Sequence, residues 1–123
     1  MLRSNKRNMD LMSIQSEKQC IVIAIFSPKP EHREEIRELL FRVTPLVHDE
    51  PGCEYYTMNE DVEGRFIHIE AWTTRQHWID HMEQPSVAEI LAGVQGKLVR
   101  DVEVFELYNI PTGNSGKGSI RGM

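Results

Sequence analysis

The sequence predicts an α+β domain of ferredoxin-like, split βαβ form, an antiparallel sheet with its helices on one face. Three observations predict it. The run "CIVIAIF", residues 20 to 26, is apolar and β-branched, the mark of a strand buried on both faces. Segments of helical periodicity alternate with segments of strand character. Their order, strand, helix, strand, strand, helix, strand, is that of a split βαβ unit.

Taken in order, the first strand ends at "SPKP", and Pro30 suits a first helical turn. In "EHREEIRELLFRVTPLV", Ile36, Leu39, Leu40, Val43 and Val47 recur at helical spacing, with acids early where the helix dipole favours them, and with a disturbance expected near Pro45. "EPG", residues 50 to 52, breaks that helix. "CEYYTMNED" then reads as a strand, "VEG" as a turn and "RFIHIEAW" as the returning strand of a hairpin. Thr73 and Gln76 have capping-box spacing before a helix whose apolar stripe is Trp78, Ile79 and Met82. Pro85 starts a further helical piece, "PSVAEILAGV", with stops near Gly93 and Gly96, and "VRDVEVFELYNI" closes with a last strand carrying Val102, Val104 and Phe105. Residues 1–18 read as a frayed leader, 19–109 as the domain and 110–123 as a flexible Gly- and Ser-rich tail.

Composition excludes several classes of function. At 123 residues there is room for one modest core, and a net charge of −5 leaves no surplus of Lys and Arg to neutralise a nucleic acid. No window approaches the apolar length of a membrane span or a signal-peptide core, so the expectation is a soluble cytoplasmic protein with no membrane partner. Cys20 and Cys53 are then expected as buried free thiols. Ile21, Ile23 and Ile25 face one side of the first strand and Val22, Ala24 and Phe26 the other. Helices cover only one side, so a second copy in a sheet-to-sheet homodimer is the economical cover for the other.

"EAWTTRQHWIDHM", residues 70 to 82, concentrates the candidate chemistry. His77 and His81 stand at i and i+4, a spacing able to hold a metal with Glu70 or His68 as third ligand. There is no HExxH pattern and there are no cysteine partners, so no metal is expected. At about 100° per residue, His81 lies about 60° from Trp78 and borders the apolar stripe, whereas His77 points further from its centre. Glu70 is the odd residue of an apolar strand; buried, it is either held by a structural hydrogen bond or serves as a catalytic carboxylate. Tyr55 and Tyr56 face opposite sides of their strand. Trp78 reads as a core aromatic, and His32 and His48 lie at helix ends, where solvation or the helix dipole satisfies them.

"EPGCEYY", "RFIHIEAW" and "RQHWIDHMEQPS" together resemble the antibiotic biosynthesis monooxygenase domain over roughly residues 19 to 109. The resemblance implies a dimeric α+β barrel. It also implies several activities: oxygenation of quinols or aromatic polyketides without metal or flavin, haem degradation, and isomerisation of a phosphorylated sugar. The family match places Tyr56 toward the cavity and Trp72 near its mouth. The Asn, Trp and His that form the site of haem-degrading relatives align with Ala24, His81 and Leu91, so the proximal ligand is missing and haem is not expected. Many relatives carry His where this chain has Ser86.

The expectation is a cofactor-independent monooxygenase binding a small aromatic or quinone-like molecule between sheet and helices. His81 is the base for a phenolic proton, Tyr56 and Glu70 orient ring oxygens, and Trp72, Met82, Ala24 and Leu91 shape the wall. Two alternatives stay open. One is an isomerase of a small phosphorylated ketose-like compound, with Arg42 and Arg65 as the nearest cations; the other is a non-catalytic binding or stress protein.

Overall fold

In the computed structural model, residues 18–120 are described. The leader expected over residues 1–18 thus lies almost wholly outside the described residues. Four strands, β1 (Cys20–Phe26), β2 (Cys53–Glu60), β3 (Phe66–Trp72) and β4 (Glu103–Leu107), form one sheet in the order β2-β3-β1-β4. Three helices, α1 (Arg33–His48), α2 (Arg75–Met82) and α3 (Pro85–Val94), connect them. Every pairing is antiparallel, so the fold is the ferredoxin-like α+β arrangement that the element order predicts.

β1 sits centrally because its apolar run can satisfy neighbours on both edges and both faces. It pairs with β3 from Cys20↔Trp72 to Phe26↔Phe66, and with β4 from Ile21↔Leu107 to Ile25↔Glu103. Its Val22 and Phe26 meet the helical layer, where α1 buries Ile36, Leu39, Leu40, Val43 and Val47. Burying each of these is worth ~1.5–3 kcal/mol, which outweighs a weak local defect. That explains Pro45, which lies inside α1 without ending it. Pro45 is exposed and flanked by the buried anchors Val43 and Val47, so its missing N–H falls on the water-facing side.

Three details correct the sequence reading. The cap of α2 is Thr74, whose hydroxyl accepts the His77 N–H, because Thr73 is already committed: its N–H donates to the Gly52 carbonyl at 2.9 Å. Gln76 accordingly bonds Asp80 one turn ahead instead of reaching back. α3 stops at Val94, between Gly93 and Gly96 as expected, and Gly93 has a packing role as well: a Cβ there would meet Leu39 Cδ2 at 2.4 Å, so the glycine permits close packing of α3 on α1. The last strand is shorter than expected at five residues, since the Val99 N–H turns away to bond the Ser27 carbonyl. Cys20 is buried but Cys53 only half-buried. Among the described residues no helix is long and apolar enough to cross a membrane. In the expected tail, Thr112 N–H bonds the Gly118 carbonyl, and Ile120 N–H bonds the Asn109 side chain.

Candidate functional site

Between the helical layer and the sheet lies a cavity of about 680 Å³. Its walls are mostly apolar, from Val22 and Ala24 of β1 to Ile90 and Leu91 of α3, and the segment after α3 forms part of its rim. Polar groups gather on one side, supplied by β2, β3 and α2.

β3 contributes two of them by strand period: His68 and Glu70 alternate onto the helix-facing side, 1% and 3% exposed. Glu70 accepts one hydrogen bond, from Trp72 Nε1 at 3.0 Å. Burial lifts its carboxyl from 4.5 to about 7; the Trp72 bond opposes this and the Glu50 charge adds to it. Glu70 is therefore poised to hold or release a proton near neutrality. His68 is packed edge-on to Phe26 at 5.3 Å and against Tyr56 at 4.5 Å between ring centroids. Neither of its ring nitrogens has a hydrogen-bond partner among the described residues. A buried polar group left so costs roughly 1–3 kcal/mol. Burial, with the nearby His81 adding to it, holds His68 down to about 4, so it is neutral at physiological pH.

α2 supplies His81, 4% exposed and facing the cavity. The turn before β2 fixes its partner. Gly52 has φ +78°, and a Cβ on it would lie 2.1 Å from His77 Cγ, so only glycine lets this turn press against α2. With Gly52 also bonded to Thr73, Glu50 is delivered to the inner side of α2. His81 Nδ1 donates to Glu50 Oε1 at 2.6 Å, and Ser86 Oγ donates to Glu50 Oε2 at 2.6 Å. A carboxylate that takes the Nδ1 proton leaves Nε2 as the ring's basic nitrogen. Burial lowers the His81 pKa although Glu50 opposes it, which keeps the imidazole neutral and available as a base.

Tyr56 lines the cavity between the two histidines, its ring 5.7 Å from His81. Burial, reinforced by Glu70 and Glu50, raises its phenol well above the ordinary value, so it donates hydrogen bonds and is no base. Its backbone carbonyl accepts from His48 Nε2 at 2.8 Å, a link from the end of α1 to β2.

Of the expected site residues, His81, Glu70, Tyr56, Met82, Ala24 and Leu91 all line this cavity. Trp72 does not. It is fully buried beneath the cavity, its indole 4.6 Å from the His81 ring and bonded to Glu70, because its position at the end of β3 turns it into the core. Trp78, read as core, lines the cavity instead. The expected stripe of α2 is displaced: Met82 is exposed and His81 is the one buried residue of that helix. His77 lies outside the cavity, its Nδ1 2.9 Å from Thr74 Oγ1. Among the described residues no three His, Cys, Asp or Glu side chains gather as a metal site. Arg42 pairs with Glu89, and Arg65 with Asp61 and Glu63 in the hairpin turn, so neither reaches the cavity. Arg100 does, and sequence reasoning missed it. It also missed Glu50, whose partner is 31 residues away and leaves no local signal. The shared strand face of His68 and Glu70 was readable from their spacing. Leu91, aliphatic and half-exposed at the rim, offers no iron ligand.

No curated protein matches this chain. Among solved structures it is similar to Rv0793 from Mycobacterium tuberculosis, with 28% identity and TM-score 0.73 over 79% of this chain and 100% of that one. It is also similar to an antibiotic biosynthesis monooxygenase, with 23% identity and TM-score 0.70 over 75% and 99% of the two chains. PA3566 from Pseudomonas aeruginosa shares the fold at 22% identity and TM-score 0.70, over 77% and 97%. The family model for antibiotic biosynthesis monooxygenases matches residues 20–93, which is more than half of the chain and takes in Tyr56, His68, Glu70 and His81 of the cavity. This chain belongs to the antibiotic biosynthesis monooxygenase family.

Proposed function

We propose that the protein is a cofactor-independent monooxygenase of a small quinol or anthrone-like aromatic, bound between sheet and helices. The observation that carries this is a mostly apolar cavity with a neutral base, His81, and a carboxyl poised near neutrality, Glu70, on one side. Family membership supports monooxygenase-type chemistry.

His81 Nε2 takes the substrate's phenolic proton, and Glu50 steadies the resulting imidazolium. Tyr56 and Glu70 donate hydrogen bonds to the substrate oxygens as negative charge develops. The electron-rich carbanion then meets dioxygen. In an anthrone a ring CH₂ becomes a carbonyl, and in a quinol a ring C–H becomes the C–OH of a hydroxyquinone; either way the substrate gives up four electrons to O₂, one oxygen atom staying on carbon and the other leaving as water with two hydrogens.

The functional unit in this reading is residues 19–109 of a cytoplasmic homodimer. The open part of its second sheet face supports the dimer, since Ile69, Phe105 and Leu107 are exposed there beside half-buried Ile23, whereas Ile21 is already buried within the chain. The isomerase alternative loses both its named cations, leaving Arg100 at the rim, more than half exposed and close to Glu103.

The test is oxygen uptake with neutral quinols and anthrones, in chelator, with ¹⁸O₂ to follow the oxygen. Expected is protein-dependent uptake of one O₂ per turnover, with one labelled atom in the product. The rate should fall about a hundredfold or more in His81→Ala. Uptake that is unchanged in His81→Ala, or absent with every substrate that binds, refutes the reading.

A further inference from the structure

We propose that His68 is the recognition residue of the cavity, a ring nitrogen of its imidazole taking the hydroxyl of an uncharged aromatic ligand, so that the site selects phenols and enols over carboxylates and phosphates. This deepens the function proposed above and rests on that reading.

Among the described residues, His68 is a buried polar side chain of the cavity whose ring nitrogens have no partner. It is 1% exposed, lines the cavity and is held between Phe26 and Tyr56, with both nitrogens unbonded among the described residues. By contrast Glu70 has Trp72, and His81 has Glu50. The two nitrogens of a neutral imidazole, one a donor and one an acceptor, point apart, so a ligand oxygen meets one of them, and a hydroxyl can answer whichever faces it. An anion answers only the donor. It would also enter an apolar cavity beside Glu70, with Glu50 behind His81, and Arg100 at the rim as the cation that lines it. Glu70 lies two residues along the same strand, about 6.6 Å by strand rise, so a second oxygen across the same ring system falls within its reach.

Three probes of one ring size separate these contributions: naphthalene, 1-naphthol and 1-naphthoate, titrated against the full chain by calorimetry. Wild type should bind 1-naphthol about tenfold more tightly than either of the others, the discrimination of one well-made buried hydrogen-bond pair. His68→Phe should remove that preference and leave naphthalene unchanged, while His68→Gln, which keeps a donor and an acceptor, should retain most of it. The ring nitrogen resonances of ¹⁵N-histidine-labelled wild type should shift at His68 on adding 1-naphthol, which decides the matter even if His68→Phe does not fold. Equal binding of the three probes, tighter binding of 1-naphthoate, or an unmoved His68 resonance overturns the inference. His68-dependent binding without oxygen uptake from any quinol would uphold it and refute the monooxygenase reading alone.

Discussion

Replacing Glu70 by Gln removes a proton site from the cavity while leaving an amide oxygen to accept the Trp72 indole N–H. In the wild-type protein burial lifts Glu70 from 4.5 to about 7. Between those values the folded protein holds a proton that the unfolded chain has released. Stability therefore falls as pH rises through that window and levels off above it. At ~1.4 kcal/mol per tenfold change in proton affinity, the fall amounts to ~3 kcal/mol. His68 acts in the opposite sense. Its folded value is about 4 against 6.5, so its contribution is present above pH 6.5 and is lost, again by ~3 kcal/mol, as pH falls toward 4. The two windows overlap, and in the wild type they offset one another.

Glu70→Gln unmasks the histidine side. Its stability should climb steadily from pH 4.5 to 7, and its advantage over wild type should widen by ~3 kcal/mol across the same range. Urea unfolding at half-unit pH steps from 4.5 to 8, followed by circular dichroism at fixed protomer concentration, measures the difference directly. Two parallel curves, or an advantage that shrinks as pH rises, would refute a buried carboxyl that holds its proton near neutrality.

Other consequences follow from single contacts. Glu50→Ala strands the His81 Nδ1 proton and the Ser86 hydroxyl, so it should cost about 2 kcal/mol in urea unfolding and move the His81 titration still lower by NMR, since the Glu50 bond opposes the lowering. Gly93→Ala should cost about 1–3 kcal/mol because its Cβ would collide with Leu39, whereas Gly96→Ala, with open space but φ +75°, should cost about 1 kcal/mol; the reverse ranking would be contrary to the packing. Phe105→Asp, on the open sheet face, should give a folded monomer in sedimentation equilibrium, and an undisturbed dimer would place the interface elsewhere.

What could be read in the chain follows the range of the interaction involved. β1 and α3 have the bounds that periodicity and flanking prolines predict, because both are dictated by neighbours a few residues apart. The cap of α2 was misplaced by one residue since the deciding contact, Thr73 to Gly52, spans 21 residues. The same holds in the site. Strand period separated Tyr55 from Tyr56, the family resemblance chose Tyr56 for the cavity, and helical angle put His81 beside the buried side of α2. Neither rule reveals that Glu50 waits 31 residues earlier to fix the His81 tautomer, or that Trp72 spends its indole on Glu70 rather than on the cavity wall.

That last contact bears on how two acids can serve one small cavity. Charge on Glu50 raises the cost of charge on Glu70, being among the causes of the raised Glu70 value. The arrangement is tolerable because they are differently satisfied. Glu50 accepts from both His81 and Ser86, while Glu70 accepts a single indole N–H and is otherwise surrounded by apolar side chains and rings. One acid thus serves as the counterpart of a histidine and the other as a reservoir for one proton. On the proposed reading these are the two complementary needs of the reaction. A base must become cationic without leaving its place, and a developing oxyanion must meet a donor rather than a second negative charge. Ser86 fits the same division: a hydroxyl donor completes Glu50 without adding a third titrating ring beside His68 and His81.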